Sequence, residues 1–410
     1  MDLLQFLKTS YTAYHATQNV CDILKSNGFV ELTLGQHWDV QKDGKYFVTR
    51  NGSSVVAFVM GPNNVLSICE SHTDSPSFKV KGTKLVASEG AKRLNTEKYG
   101  GGLLYTYFDR PLKVAGRVLT KGQNGVEQHL VASDYNVVIP SLCVHHNPTA
   151  NDSFAVNVQV DTLPLFSQGE KELYKTLTDL DVIDADLYVV PATEPFFAGA
   201  DNEFLCSPRL DNLTSVYTSL QALLNCNPQN IAMIACLDNE EVGSGTRQGN
   251  PSFISQVLDS LYCNGLGFDV TNRQNAIESG MVLSVDNGHA CHPAHPEKSD
   301  VLYKTYINKG IVIKHHTNYA TDGLSSALFK NILQNNDVAF QDLYNRSDMR
   351  CGSTVGLATA RELGIKTCDI GLPQLAMHSA CETCGTADVE TMTKALTAFF
   401  NAQPSDLIVK

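Results

Sequence analysis

Apolar residues recur at helical spacing near the start of the chain, at Leu3, Leu4 and Leu7 and again at Val20, Ile23 and Leu24, until Asn27-Gly28 supplies a stop. The period then shortens to that of strands. Residues 46–49 and 55–60 flank Asn51-Gly52, a hairpin signal, and residues 65–70 form a near-continuous apolar strand that runs on to His72. From 85 to 195, short strands such as 112–119 alternate with Gly and Asn turns, and helical periodicity is weak. Beyond 205 the pattern predicts helices over 213–224, 324–333 and 391–400, with buried strands over 231–237 and 282–285. Buried strands alternating with helices predict an α/β layered fold with a mostly parallel central sheet. The layered domain is expected in two parts, 1–84 and 196–410, interrupted by a β-rich insertion over 85–195.

Composition narrows the function classes. Of 410 residues, 43% are hydrophobic and 18% charged, which excludes a largely disordered chain. Lys and Arg total 31 against 43 Asp and Glu, a net charge of −12 that disfavours broad binding to nucleic acid or anionic membrane. No apolar run approaches the roughly 18 residues that span a bilayer. The segment Met1-Asp2-Leu3-Leu4-Gln5-Phe6-Leu7-Lys8 lacks the features of a secretory signal, so a cytoplasmic location is expected. The 12 cysteines are thinly spread, and most, such as Cys236, sit in apolar runs as buried thiols. Cys381-Glu382-Thr383-Cys384 has the spacing of a redox or half-zinc motif without a second pair.

Five places set a metal-type ligand just past a predicted strand, where open α/β sheets gather their ligands. In Ser71-His72-Thr73-Asp74, His72 can bind a metal through one ring nitrogen while Asp74 fixes its tautomer through the other; a polar turn is the alternative. In Arg209-Leu210-Asp211-Asn212, Asp211 is either a ligand or, with Asn212, an N-cap of the following helix. Glu240 and Glu241, after the strand at 231–237, repel one another unless a cation or proton intervenes. One can then bind a metal while its neighbour acts as general base. Asp286 follows the strand at 282–285, and His378 follows an apolar stretch. Two histidines and three carboxylates with one carboxylate to spare suit two zinc ions sharing a bridging aspartate; cobalt or manganese fits the same donors.

The segments 71–76, 208–212, 238–244 and 373–379, together with Tyr107-Phe108-Asp109-Arg110 and 140–145, resemble the signature blocks of the aspartyl aminopeptidase family of dinuclear zinc exopeptidases. They stand in family order from the first helix to the last. The resemblance implies His72 and Asp286 on one metal, Glu241 and His378 on the other, and Asp211 bridging. It makes Glu240 the general base and Asp74 the residue that orients His72. It further implies an inserted dimerisation domain, large dodecamer-like assemblies built from homodimers, and a histidine matched here by His145 that reaches a neighbouring subunit's active site. Lys314 matches the lysine that contacts an acidic first residue, so short peptides with N-terminal Asp or Glu are the expected substrates. His289 and His292 match positions near the site, with His289 expected to line the cleft and His295 left without a role.

The sequence departs from the family pattern around that pocket. Thr317-Asn318 stand before Tyr319-Ala320 where Gln-Arg is usual, Asp348-Met349-Arg350-Cys351-Gly352 replaces Asp-Thr-Pro-Cys-Gly, and Cys381 occupies an arginine position. Arg346 and Arg350 are further cations available to an acidic substrate. Two other functions compete: a related dinuclear hydrolase of different specificity, such as a neutral aminopeptidase, carboxypeptidase or deacylase, and a catalytically silent metal-binding assembly subunit. Retention of both Glu240 and Glu241 argues against the second.

Overall fold

A computed structural model describes residues 1–267 and 269–408. Strand residues in the central sheet alternate between its two faces, as a period of two requires. Phe47, Ala57, Ile234 and Leu283 pack into one apolar layer; Val48, Phe58, Met233 and Val282 pack into the other. Helices Leu3–Thr9, Ala13–Ser26, Leu210–Asn225, Gly323–Asn335 and Thr386–Phe400 cover the first face. Helices Ser252–Asp259, Val270–Ser279 and Val355–Leu363 cover the second, which gives the expected layered α/β architecture. No helix among the described residues is long and apolar enough to cross a membrane.

The central sheet has nine strands in the order Val30–Glu31, Lys45–Arg50, Ser54–Val59, Ile231–Leu237, Leu66–His72, Met281–Val285, Lys366–Gly371, Ile311–His315 and Phe340–Tyr344. Ile231–Leu237, Leu66–His72, Met281–Val285 and Lys366–Gly371 run parallel, so three of them deliver His72, the Asp238–Glu241 turn and Asp286 to one edge. The hairpin expected at Asn51-Gly52 pairs Lys45–Arg50 with Ser54–Val59.

The sheet of the insertion takes in Ser77–Val80, ahead of the start at 85 expected from texture, while Phe196–Ala198, just past 195, already pairs in another sheet. The five strands of the insertion sheet are ordered Gly125–Ala132, Leu112–Gly122, Val182–Pro191, Ser77–Val80, Thr96–Tyr99, around their own apolar core. Ser77–Val80 belongs to it because it pairs with Val182–Pro191 about a hundred residues on, a partnership that local periodicity does not display. A smaller sheet frames the site from the layered domain: Phe196–Ala198, Phe204–Ser207, Glu382–Gly385, Pro373–Leu375 and Gly288–His289.

Candidate metal centre

His72 ends a fully buried strand, and its Nδ1 lies 3.0 Å from the main-chain oxygen of Asp74 and 3.4 Å from that residue's carboxylate. Asp74 therefore touches the ring chiefly through its backbone. Its carboxylate is occupied elsewhere: Tyr99 Oη donates to it at 2.6 Å, and the Glu240 and Glu241 amides donate at 3.1 and 3.2 Å. Those bonds clamp the turn that follows Ile231–Leu237. Asn239 at φ 58° and Gly243 at φ 94° enter and leave the turn in left-handed conformations, and glycine adopts its conformation without strain.

Asp211 is no helix cap. Arg209 holds the cap position with φ 62° and no capping side-chain bond, and Asp211 and Asn212 are non-helical. The Asp211 amide donates instead to Glu382 Oε2 at 2.9 Å, its carbonyl accepts from Ser75 Oγ at 2.8 Å, and Asn212 Nδ2 donates to the Val285 carbonyl at 2.8 Å. These clamps turn the Asp211 carboxylate into the site. His378, at φ 66°, is held by its own amide donating to Glu382 Oε1 at 2.6 Å, and its Nδ1 lies 3.2 Å from the Gly101 carbonyl.

Two donor trios result, and they share Asp211. His72 Nε2 lies 3.5 Å from Asp211 Oδ1 and 3.7 Å from Asp286 Oδ1. His378 Nε2 lies 3.4 Å from Asp211 Oδ2 and 3.3 Å from Glu241 Oε1. Bonds of about 2.0–2.1 Å in tetrahedral geometry set donors roughly 3.4 Å apart, so the spacing fits zinc. Asp211 Oδ1 and Glu241 Oε1 are buried with no hydrogen-bond partner, as atoms kept for a cation are. Glu240 Oε2 stands 3.9 Å from His72 Nε2, outside both trios that meet at Asp211, although with His72 and Glu241 it forms a third grouping.

Without a cation the cluster holds its charges by taking protons. Burial opposes ionisation of His72, but Asp211, Asp286 and Asp74 outweigh it and keep its pKa well above the usual value. Burial likewise opposes the His378 charge and is overcome by Asp211 and Glu241, which lift its pKa to about 10. Burial pushes Glu240 up to about 7 and raises Glu241, while Asp211 is held low against burial by the rings of His378 and His72.

A cleft of about 370 Å³ opens over these groups. Lys314 lines it, 2% exposed, with Nζ 3.8 Å from Asp286 Oδ2 and 5.5 Å from the Tyr319 ring centre. His289 lines it as well. His145 is exposed on the insertion and does not line the cleft of its own chain. His292 borders a neighbouring cavity, and exposed His295 pairs with Glu297 at 3.4 Å.

Two features escaped the sequence. Glu382, 1% exposed, ties the backbones of Asp211 and His378 together. It lies inside the Cys381–Cys384 motif, whose cysteines are free: Cys384 is buried within the strand Glu382–Gly385, whereas Cys381 is half-buried just ahead of it. Gly100-Gly101-Gly102 brings insertion backbone against the site, where a Cβ at Gly100 would meet the Glu241 Cβ at 3.0 Å. A run of three glycines was the available signal.

Donors of this kind at the carboxyl edge of a layered α/β sheet could hold metal ions, as metal-assisted hydrolysis requires. Residues 6–400 match the family described as "Aminopeptidase I zinc metalloprotease (M18)". The chain is 38% identical to a probable M18 family aminopeptidase 2 of Clostridium acetobutylicum over 97% of this chain and 98% of that one. It is 37% identical to a protein of the same description from Pseudomonas fluorescens, over 97% of each. Among solved structures it resembles the Ape4 and Nbr1 complex (33% identity, TM-score 0.92, 99% of this chain and 86% of that one). It also resembles prApe1 (25% identity, TM-score 0.89, covering 98% and 94%). The chain belongs to the M18, or aspartyl aminopeptidase, family and is a zinc metallo-exopeptidase of the aminopeptidase type.

Proposed function

We propose that the chain removes the first residue of short peptides with the help of two divalent ions, most simply zinc. His72 and Asp286 would hold one ion, Glu241 and His378 the other, with Asp211 between them. The observation that supports this best is the meeting of two donor trios at Asp211, beside two buried carboxylate oxygens left without partners. When bound, such ions acidify an attacking water and polarise the scissile carbonyl. Glu240, uncommitted to either of those trios, takes the proton from the attacking water and returns it to the leaving amine. Asp74 acts as a positioning residue, holding the Glu240-Glu241 turn and the His72 ring. A free α-ammonium is drawn to the same carboxylate-rich edge, which confines cleavage to the chain end.

Lys314 is the only Lys or Arg among the described residues lining the cleft, and it supports a preference for Asp or Glu in first position. Self-association into homodimers and a larger assembly is supported by Leu142, Val144 and Phe154, exposed on the insertion at 58%, 53% and 41%; a neighbour of the same fold is described as a dodecamer. Twelve free cysteines suit the reducing cytoplasm. Glu240→Gln tests the assignment of the base: metal analysis should find both ions retained while turnover falls by about 10²–10⁴. A variant that keeps most of its rate would remove Glu240 from that role.

A further inference from the structure

A second cavity, of about 280 Å³, adjoins the metal cleft. The two share His289, and Ala376-Met377-His378 runs from one into the other. Gln374 lines the second cavity at 1% exposure; its Oε1 accepts from Asn287 at 2.7 Å, while its Nε2 is buried with no partner. A buried amide donor left unpaired is costly unless a ligand or water satisfies it. Arg350, Lys298 and His292 stand at the same cavity. Arg346 is committed, with Nε 2.7 Å from Asp348 and Nη1 donating to the Glu297 carbonyl. Among the described residues Arg350 closes no ion pair, and Lys298 feels Glu297 without pairing to it. Within a chain of net charge −12, this local run of cations is selective for an anion.

We propose that this cavity is the subsite for a carboxylate carried by the leaving part of the peptide, held by Arg350, Lys298 and the Gln374 amide. It rests on the aminopeptidase function proposed above and is separate from the Lys314 pocket for the first residue. A free C-terminus and an acidic side chain beyond the scissile bond offer the same group. The metal-loaded full chain is assayed on three substrates: a tripeptide with a free C-terminus, its C-terminal amide, and that amide with Glu in third position. The amide should show a KM about tenfold higher than the free acid, and recovery with Glu identifies the side chain as an equal source. The gap should shrink in Arg350→Gln, a substitution at an exposed position that spares the core. Equal KM for acid and amide with cleavage intact would overturn the subsite and leave the aminopeptidase function standing. Binding of the leaving dipeptide, measured calorimetrically as acid and as amide, reads the subsite without turnover; equal affinities would overturn it as well.

Discussion

Replacing Glu382 by glutamine separates the support of the metal centre from its ligands. The carboxylate is 1% exposed and spends one oxygen on the His378 amide at 2.6 Å and the other on the Asp211 amide at 2.9 Å. Glutamine keeps the shape but offers only one acceptor. Burial pushes the Glu382 carboxyl pKa up to about 8 against the two amides that favour its charge; whichever way the new amide turns, its NH₂ faces a backbone N–H, and a buried donor left unpaired costs about 1–3 kcal/mol. Both bonds anchor residues of the trio Asp211, Glu241 and His378, so the loss should appear as displaced donors. An outer-shell change of this kind costs about 10–100-fold in metal affinity, the range that 1.4–2.8 kcal/mol spans at roughly 1.4 kcal/mol per decade. Competition of metal-free protein against a zinc-binding dye measures it, with circular dichroism confirming the fold. Zinc affinities of Glu382→Gln within twofold of the parent for both ions would refute the positioning role.

Lys314→Met should lower kcat/KM on aspartyl chromogenic substrates by about 10–100-fold and leave alanyl substrates much less affected; a parent enzyme that prefers leucine or alanine would remove Lys314 from its role. In the metal-free chain the folded pKa values of His378, about 10, and Glu240, about 7, lie above their ordinary values. The folded state then binds more protons than the unfolded one, so metal-free stability should fall as pH rises from about 5 to 10. Bound ions displace those protons, so zinc affinity should rise from pH 6 to 8, with proton release visible by calorimetry in buffers of different ionisation enthalpy. A zinc affinity flat across that interval would contradict the crowding of protonated groups around Asp211.

Much of the centre was legible because strand ends are legible. His72, Asp286 and the Glu240-Glu241 pair follow apolar runs whose parallel pairing brings their carboxyl ends together. Asp211 was ambiguous in sequence, since an acidic residue ahead of a helix usually caps it. What decides its conformation is Glu382, 171 residues away, and no local pattern carries that contact. Glu382 itself sat in a segment whose cysteines drew attention, and its burial follows from its place in Glu382–Gly385, a strand identified by pairing with Phe204–Ser207. The early start of the insertion at Ser77 escaped for the same reason: a four-residue strand declares its sheet only through a distant partner.

Anomalous diffraction at the zinc absorption edge, from crystals grown with zinc, probes the paired centre most directly. Two peaks flanking the Asp211 carboxylate, one beside His72 and Asp286 and the other beside Glu241 and His378, are expected, with both weakened in Asp211→Asn. A single peak, or density at the Glu240 carboxylate in place of Asp286, would contradict it.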